Sequence, residues 1–116
     1  MKEVLQNWLD GNLPLPGVAA CCAQLADRTY VSRCYGDGFV TAQVERVLNR
    51  LAMAADNLGK HGLEVARLCW VFEHTRIQLV FRHDGNCLAL FTDNRPGAIN
   101  PKVEDLLEGF LRLGSS

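Results

Sequence analysis

Ile77-Gln78-Leu79-Val80-Phe81-Arg82-His83-Asp84-Gly85-Asn86-Cys87-Leu88-Ala89-Leu90-Phe91-Thr92 is the stretch on which the reading of the fold turns. Asp84-Gly85 between two apolar runs is a hairpin signal, because a two-residue primed turn needs positive φ. In the first arm, Ile77, Leu79 and Phe81 face one way while Arg76, Gln78, Val80 and Arg82 face the other, the period of two that belongs to a strand. The second arm, Cys87–Thr92, is almost wholly apolar, which places it centrally in a sheet covered on both faces. Upstream, Val65–Glu73 alternates as well. Leu68, Trp70 and Phe72 share one face, and Arg67, Cys69, Val71 and Glu73 share the other. Glu73-His74-Thr75-Arg76 reads as the turn between this strand and the next. Three successive strands joined by tight turns should run antiparallel.

Further towards the N-terminus, Val40, Val44, Val47, Leu48, Leu51, Ala55 and Leu58 lie on one stripe at helical spacing, giving a long helix over residues 41–58. Thr41 is its expected N-cap, and Gly59 or Gly62 its end. Its opposite face carries Arg46, Asn49, Arg50, Met53 and Asn57. Val18–Leu25 is small and apolar without alternation, a second strand covered on both faces. Asp27-Arg28 turns the chain into Thr29–Tyr35, whose Ser32 and Arg33 suggest an edge. Residues 2–10 read as a short helix closed by Gly11. The loops are expected at residues 11–17 and 93–98. At the other end Asn100 caps a helix with Pro101 at its first position, where the missing N–H costs nothing. Val103, Leu106, Leu107, Phe110 and Leu111 form its stripe. The order is helix, two strands, long helix, three strands, helix. That is an α+β chain with the two doubly apolar strands side by side and helices on both faces.

With 116 residues, 48% hydrophobic and 22% charged, the chain is one ordinary globular domain over residues 1–116. A net charge of −1 offers no electrostatic case for nucleic acid or an anionic membrane. No stretch approaches the length of a membrane span, and the N-terminus has no apolar core of signal-peptide length, so the cytoplasm is the expected compartment. The cysteines are five in number, with Cys21 and Cys22 adjacent, a poor disulfide framework. They read as small buried hydrophobes in a reducing compartment.

Three chemical constellations fall short. Cys69, His74, His83 and Cys87 lack the paired spacing of structural zinc ligands. Cys21 and Cys22 would point to opposite faces of a strand, among alanines that supply no positive charge to activate a thiol. Gly36-Asp37-Gly38 precedes a helix but lacks the lysine of a phosphate-binding loop and the third glycine of a dinucleotide fingerprint. His61, near the helix end, reads as a solvated or dipole-stabilised residue. No catalytic, cofactor-binding or metal-binding residue is expected, and the chain does not read as an enzyme.

This element order, with Pro16-Gly17-Val18 opening the first strand after a short helix, the long helix at 41–58 and the strand triplet ending in Cys87–Thr92, resembles the roadblock/dynein light chain family over about residues 2–112. Asp27-Arg28 departs from the Asp-Gly that many members carry between the first two strands. The resemblance implies a sheet in the order 2-1-5-4-3. It also implies a homodimer that pairs third strands, with the long helices meeting on one face, and a non-catalytic role as a scaffold or regulator of small Ras-like GTPases or as a motor-complex subunit. It places a dimer edge at Val65, Arg67, Cys69, Val71 and Glu73, and a partner-facing surface at Arg46, Asn49, Arg50, Met53 and Asn57. A rival reading is a small-molecule sensor or enzyme domain with a concave pocket between sheet and helices and a few inward polar groups. The scarcity of polar residues at the expected core positions favours the adaptor.

Overall fold

In a computed structural model, residues 2–63, 66–93 and 100–113 are described. Val65 of the expected dimer edge and most of the expected 93–98 loop lie outside them. The elements are α1 (Lys2–Asn12), β1 (Val18–Gln24), β2 (Tyr30–Cys34), α2 (Thr41–Lys60), β3 (Arg67–Val71), β4 (Thr75–Phe81), β5 (Cys87–Asp93) and α3 (Lys102–Arg112). The five strands form one antiparallel sheet in the order β2-β1-β5-β4-β3, as expected.

The two apolar strands make the centre of the sheet, with Cys21 opposite Leu90 and Ala23 opposite Leu88. Cys21, Ala23, Leu88 and Leu90 pack on one face with Leu5 and Leu9 of α1 and Leu106, Leu107 and Phe110 of α3. Ala20, Cys22, Ala89 and Phe91 pack on the other with Val44 and Leu48 of α2. Each large side chain buried this way contributes about 1.5–3 kcal/mol relative to an exposed one. The small residues of β1 let helices approach from both sides. The expected Asn100 cap is present: its Oδ1 accepts the Lys102 N–H at 3.0 Å, and Pro101 has helical dihedrals at φ −60 and ψ −22.

Several local expectations need correction. Helix α1 runs through Gly11 to Asn12, whose Nδ2 donates to the Trp8 carbonyl at 2.8 Å and closes the last turn. Thr41 is already helical, so its hydroxyl does not cap; Val40 is the extended residue before the helix, with no side-chain cap bond. Helix α2 ends at Lys60, between the two glycines expected to close it. There Gly62 at φ +82 lets Leu63 N–H reach the Leu58 carbonyl at 3.0 Å and Gly62 N–H the Gly59 carbonyl at 3.0 Å, the paired bonds of a Schellman motif.

The hairpin at Asp84-Gly85 is present but has a three-residue loop. Arg82 N–H donates to the Asn86 carbonyl at 2.9 Å, and positive φ occurs at Gly85 and not at Asp84. This is the turn-plus-bulge form of hairpin, which needs the left-handed conformation once. The β1–β2 loop has the same form: Leu25 N–H donates to the Thr29 carbonyl at 2.8 Å, and Arg28 takes the left-handed position at φ 72.

Cys21, Cys22 and Cys87 are buried as expected, but Cys34 is only half-buried and Cys69 is exposed on an edge strand.

Candidate functional site

Strand β3 is one edge of the sheet, and α2 packs over β1 and β2, away from that edge. Exposure alternates along β3: Arg67, Cys69 and Val71 are open, while Leu68 and Trp70 are half-buried beside the α2 core. Val71 is 62% exposed and Phe72 is exposed beyond it. Glu73 does not belong to the strand. Phe72 N–H donates to the Thr75 carbonyl at 2.8 Å, which puts Glu73 and His74 in the connecting turn. The Arg67 guanidinium donates to both carboxylate oxygens of Glu104, at 2.6 and 2.9 Å, and to Gln78 Oε1 at 2.7 Å. The hydrogen bonds from Arg67 hold the Glu104 carboxyl below its ordinary value.

On α2, Arg46, Arg50, Met53 and Asn57 are exposed, Met53 at 62%. Asn49 is not with them. It is half-buried, with its Oδ1 3.5 Å from Gln24 Nε2 and its Nδ2 3.8 Å from Met53 Sδ. Gln24 Nε2 also donates to the Tyr30 hydroxyl at 3.0 Å, and Ser32 Oγ donates to Glu45 Oε2 at 2.7 Å. These contacts fix one flank of α2 to the β2 side of the sheet. The other flank is apolar: Val47, Leu51, Ala54 and Leu58 recur at intervals of four, three and four, the spacing of a helix-pairing seam. Val47 and Leu51 are half-buried, and Ala54 and Leu58 are exposed.

No chemistry gathers on these surfaces. Burial pushes the Cys21 and Cys22 thiols up to about 12 and the Cys87 thiol up to about 11, so all three stay protonated and poor as nucleophiles. Cys69, His74 and His83 are exposed while Cys87 is buried, and among the described residues no three His, Cys, Asp or Glu side chains group to hold a metal. Gly36-Asp37-Gly38 is an exposed turn, with Gly36 at φ +84. No helix among the described residues is long and apolar enough to cross a membrane.

A cleft of about 800 Å³ opens between the C-terminal half of α2 and the ends of the two hairpins. Leu25, Phe81 and Cys87 contribute to its apolar lining, and Ala52, Ala55 and Gly59 of α2 leave it room. Gln24, 5% exposed, faces it together with Asn49, while Arg28, Asp56 and Lys60 are the charged residues that line it. This concavity runs against the expectation of few inward polar groups. Gln24 was legible as the single polar residue within Val18–Leu25, and Arg28 read only as a turn residue.

No family model matches the chain, and no curated protein does. Solved structures do match in fold. The Roadblock/LC7 domain from Streptomyces avermitilis superposes with a TM-score of 0.66 at 14% identity, covering 92% of this chain and 91% of that one. Myxococcus xanthus MglB superposes at 0.60 and 8% identity, covering 82% and 81%. A structure described as MglB with tetrameric arrangement superposes at 0.64 and 12% identity, covering 97% and 88%.

Proposed function

We propose that this chain, which has the roadblock/LC7 fold, is a non-catalytic homodimeric adaptor of the cytoplasm whose partner is another protein, a small Ras-like GTPase. Two observations carry the dimer: an open sheet edge at β3, and on α2 an apolar helix seam at Val47, Leu51, Ala54 and Leu58. An unpaired edge invites a second strand, and a twofold axis satisfies edge and seam with one self-complementary patch. An MglB in a tetrameric arrangement supports self-association as a habit of this fold. The GTPase follows from the family resemblance.

The docking surface in this reading is the outward face of α2, with Arg46, Arg50, Met53 and Asn57 exposed and Asn49 at its margin. Arginine and methionine are enriched at protein interfaces, and pairing two such helices yields a surface of order 800 Å² for a partner. The dimer edge is Arg67, Cys69 and Val71, with Val65 and Glu73 flanking the strand in sequence.

Light scattering at micromolar concentration tests the dimer; a stable monomer overturns it. Leu51→Glu should give a monomer. Met53→Glu should keep the dimer and its melting temperature while losing capture of a small GTPase. A monomeric Met53→Glu protein would instead place that face inside the dimer.

A further inference from the structure

We propose that the cleft between α2 and the hairpin ends binds a small carboxylate that also carries a hydrogen-bond donor, such as an aromatic hydroxy acid or an indole acid. Its volume of about 800 Å³ lies within the range of ligand pockets, roughly 300–1,000 Å³. Alanine and glycine on the α2 wall leave this space empty, although the same helix packs large residues against the sheet one turn earlier.

Two polar groups define the occupant. The Gln24 carboxamide is 5% exposed and uses its NH₂ on Tyr30 and Asn49. Among the described residues nothing donates to its carbonyl oxygen. That oxygen lies open at the cleft, where it can accept from a donor on whatever fills it. The second group is Arg28. Lys60 and Asp56 lie 3.7 Å apart as a pair, whereas the Arg28 guanidinium has no ion pair among the described residues. The lining therefore carries one uncompensated positive charge, and a guanidinium fork is suited to a planar carboxylate. Phe81, Leu25 and Met53, also in the lining, supply apolar contact for a ring.

The backbone adds a comparison internal to the molecule. The two neighbouring hairpins share one loop form, and its left-handed position is filled by Gly85 in one and by Arg28 in the other. A Cβ on Gly85 would meet the Ala26 Cβ at 3.1 Å, so the loops lie against each other at the cleft. An arginine stands where glycine would be unstrained, at the place where its charge borders the cavity.

The cleft shares Asn49 and Met53 with the proposed docking face, but it is read by ligand binding alone, so its test stands apart from that of the adaptor reading. The test is titration of the full chain with indole-3-carboxylate and 4-hydroxybenzoate, followed by amide chemical shifts. The expected result is saturable shifts at Gln24, Asn49 and Gly85. The neutral controls indole and 4-hydroxybenzamide, and benzoate without a donor, should each bind at least about tenfold more weakly. Arg28→Gly, which preserves the loop, should weaken the acids by about tenfold or more. Ala52→Leu should abolish binding by filling the space, with its folding checked by the spectrum of the remaining amides. Absence of shifts at about 10 mM of either acid overturns the proposal, that being weaker than millimolar affinity. So does equal binding of the neutral controls, or binding that survives Arg28→Gly unchanged.

Discussion

Arg28 holds the left-handed conformation at φ 72, where an L side chain crowds its own carbonyl by about 1–2 kcal/mol relative to the right-handed basin. Glycine removes that crowding at the cost of a more flexible unfolded chain. Arg28→Gly should therefore stabilise the fold by about 0.5–1 kcal/mol, read as a higher urea midpoint at an unchanged slope. A loss of stability would mean that the arginine side chain holds more structure than its open position suggests. The thiols give a second expectation at this scale. Cys69 is exposed, and Cys21, Cys22 and Cys87 are buried with raised pKa values. Alkylation under native conditions should label those three only after denaturant, as intact mass would show. Phe91 is buried at the centre of the α2 face, edge-on to Phe39 with ring centroids 5.2 Å apart. Phe91→Ala should cost about 3–5 kcal/mol in chemical denaturation.

Between elements, the Arg67–Glu104 contact ties the edge strand to α3. Glu104 has its pKa lowered in the fold, so the contact stabilises above the ordinary carboxylate range and is lost as pH falls through the lowered value. Both side chains are about half exposed, which limits the pair to about 0.2–1 kcal/mol. Glu104→Gln should melt lower than the parent at about pH 7, and the difference should shrink as pH falls through the lowered value. Every element was legible in the sequence, from a repeating apolar period or from an unbroken apolar run: Val44, Leu48 and Ala55 announce α2, and the run at Cys87–Thr92 announces the central strand. What was not legible depends on neighbours. The Asp84-Gly85 pair suits both a two-residue and a three-residue loop, and only the Arg82–Asn86 bond distinguishes them. Asn49 lies at a helical angle between buried and open faces, and it turns inward because Gln24 is there to meet it. Gln24 belongs to the cleft because Ala52 and Gly59, far off in sequence, leave a space beside it. No local pattern encodes that.

For the whole molecule, the proposed dimer makes melting depend on protein concentration, since association stabilises only the folded chain. A tenfold dilution through the dissociation constant should lower the melting temperature, while the Leu51→Glu chain should be insensitive to dilution. The sheet has one further property. Its two central strands, β1 and β5, come from opposite ends of the sequence, their paired residues standing about 60–75 apart along the chain. A ribosome therefore releases β1 long before the strand that must lie beside it. Asn86 Oδ1, which accepts the Ala26 N–H at 2.8 Å and pins the first hairpin to the last, is also made late. A nascent chain ending near residue 86 presents one edge of an apolar strand with no mate, together with the helix stripes meant to cover the finished sheet. Such a truncated chain should aggregate or bind a chaperone, and the completed one should not; comparing the solubility of chains ending at residues 86 and 116 in a translation extract would show whether folding waits for β5.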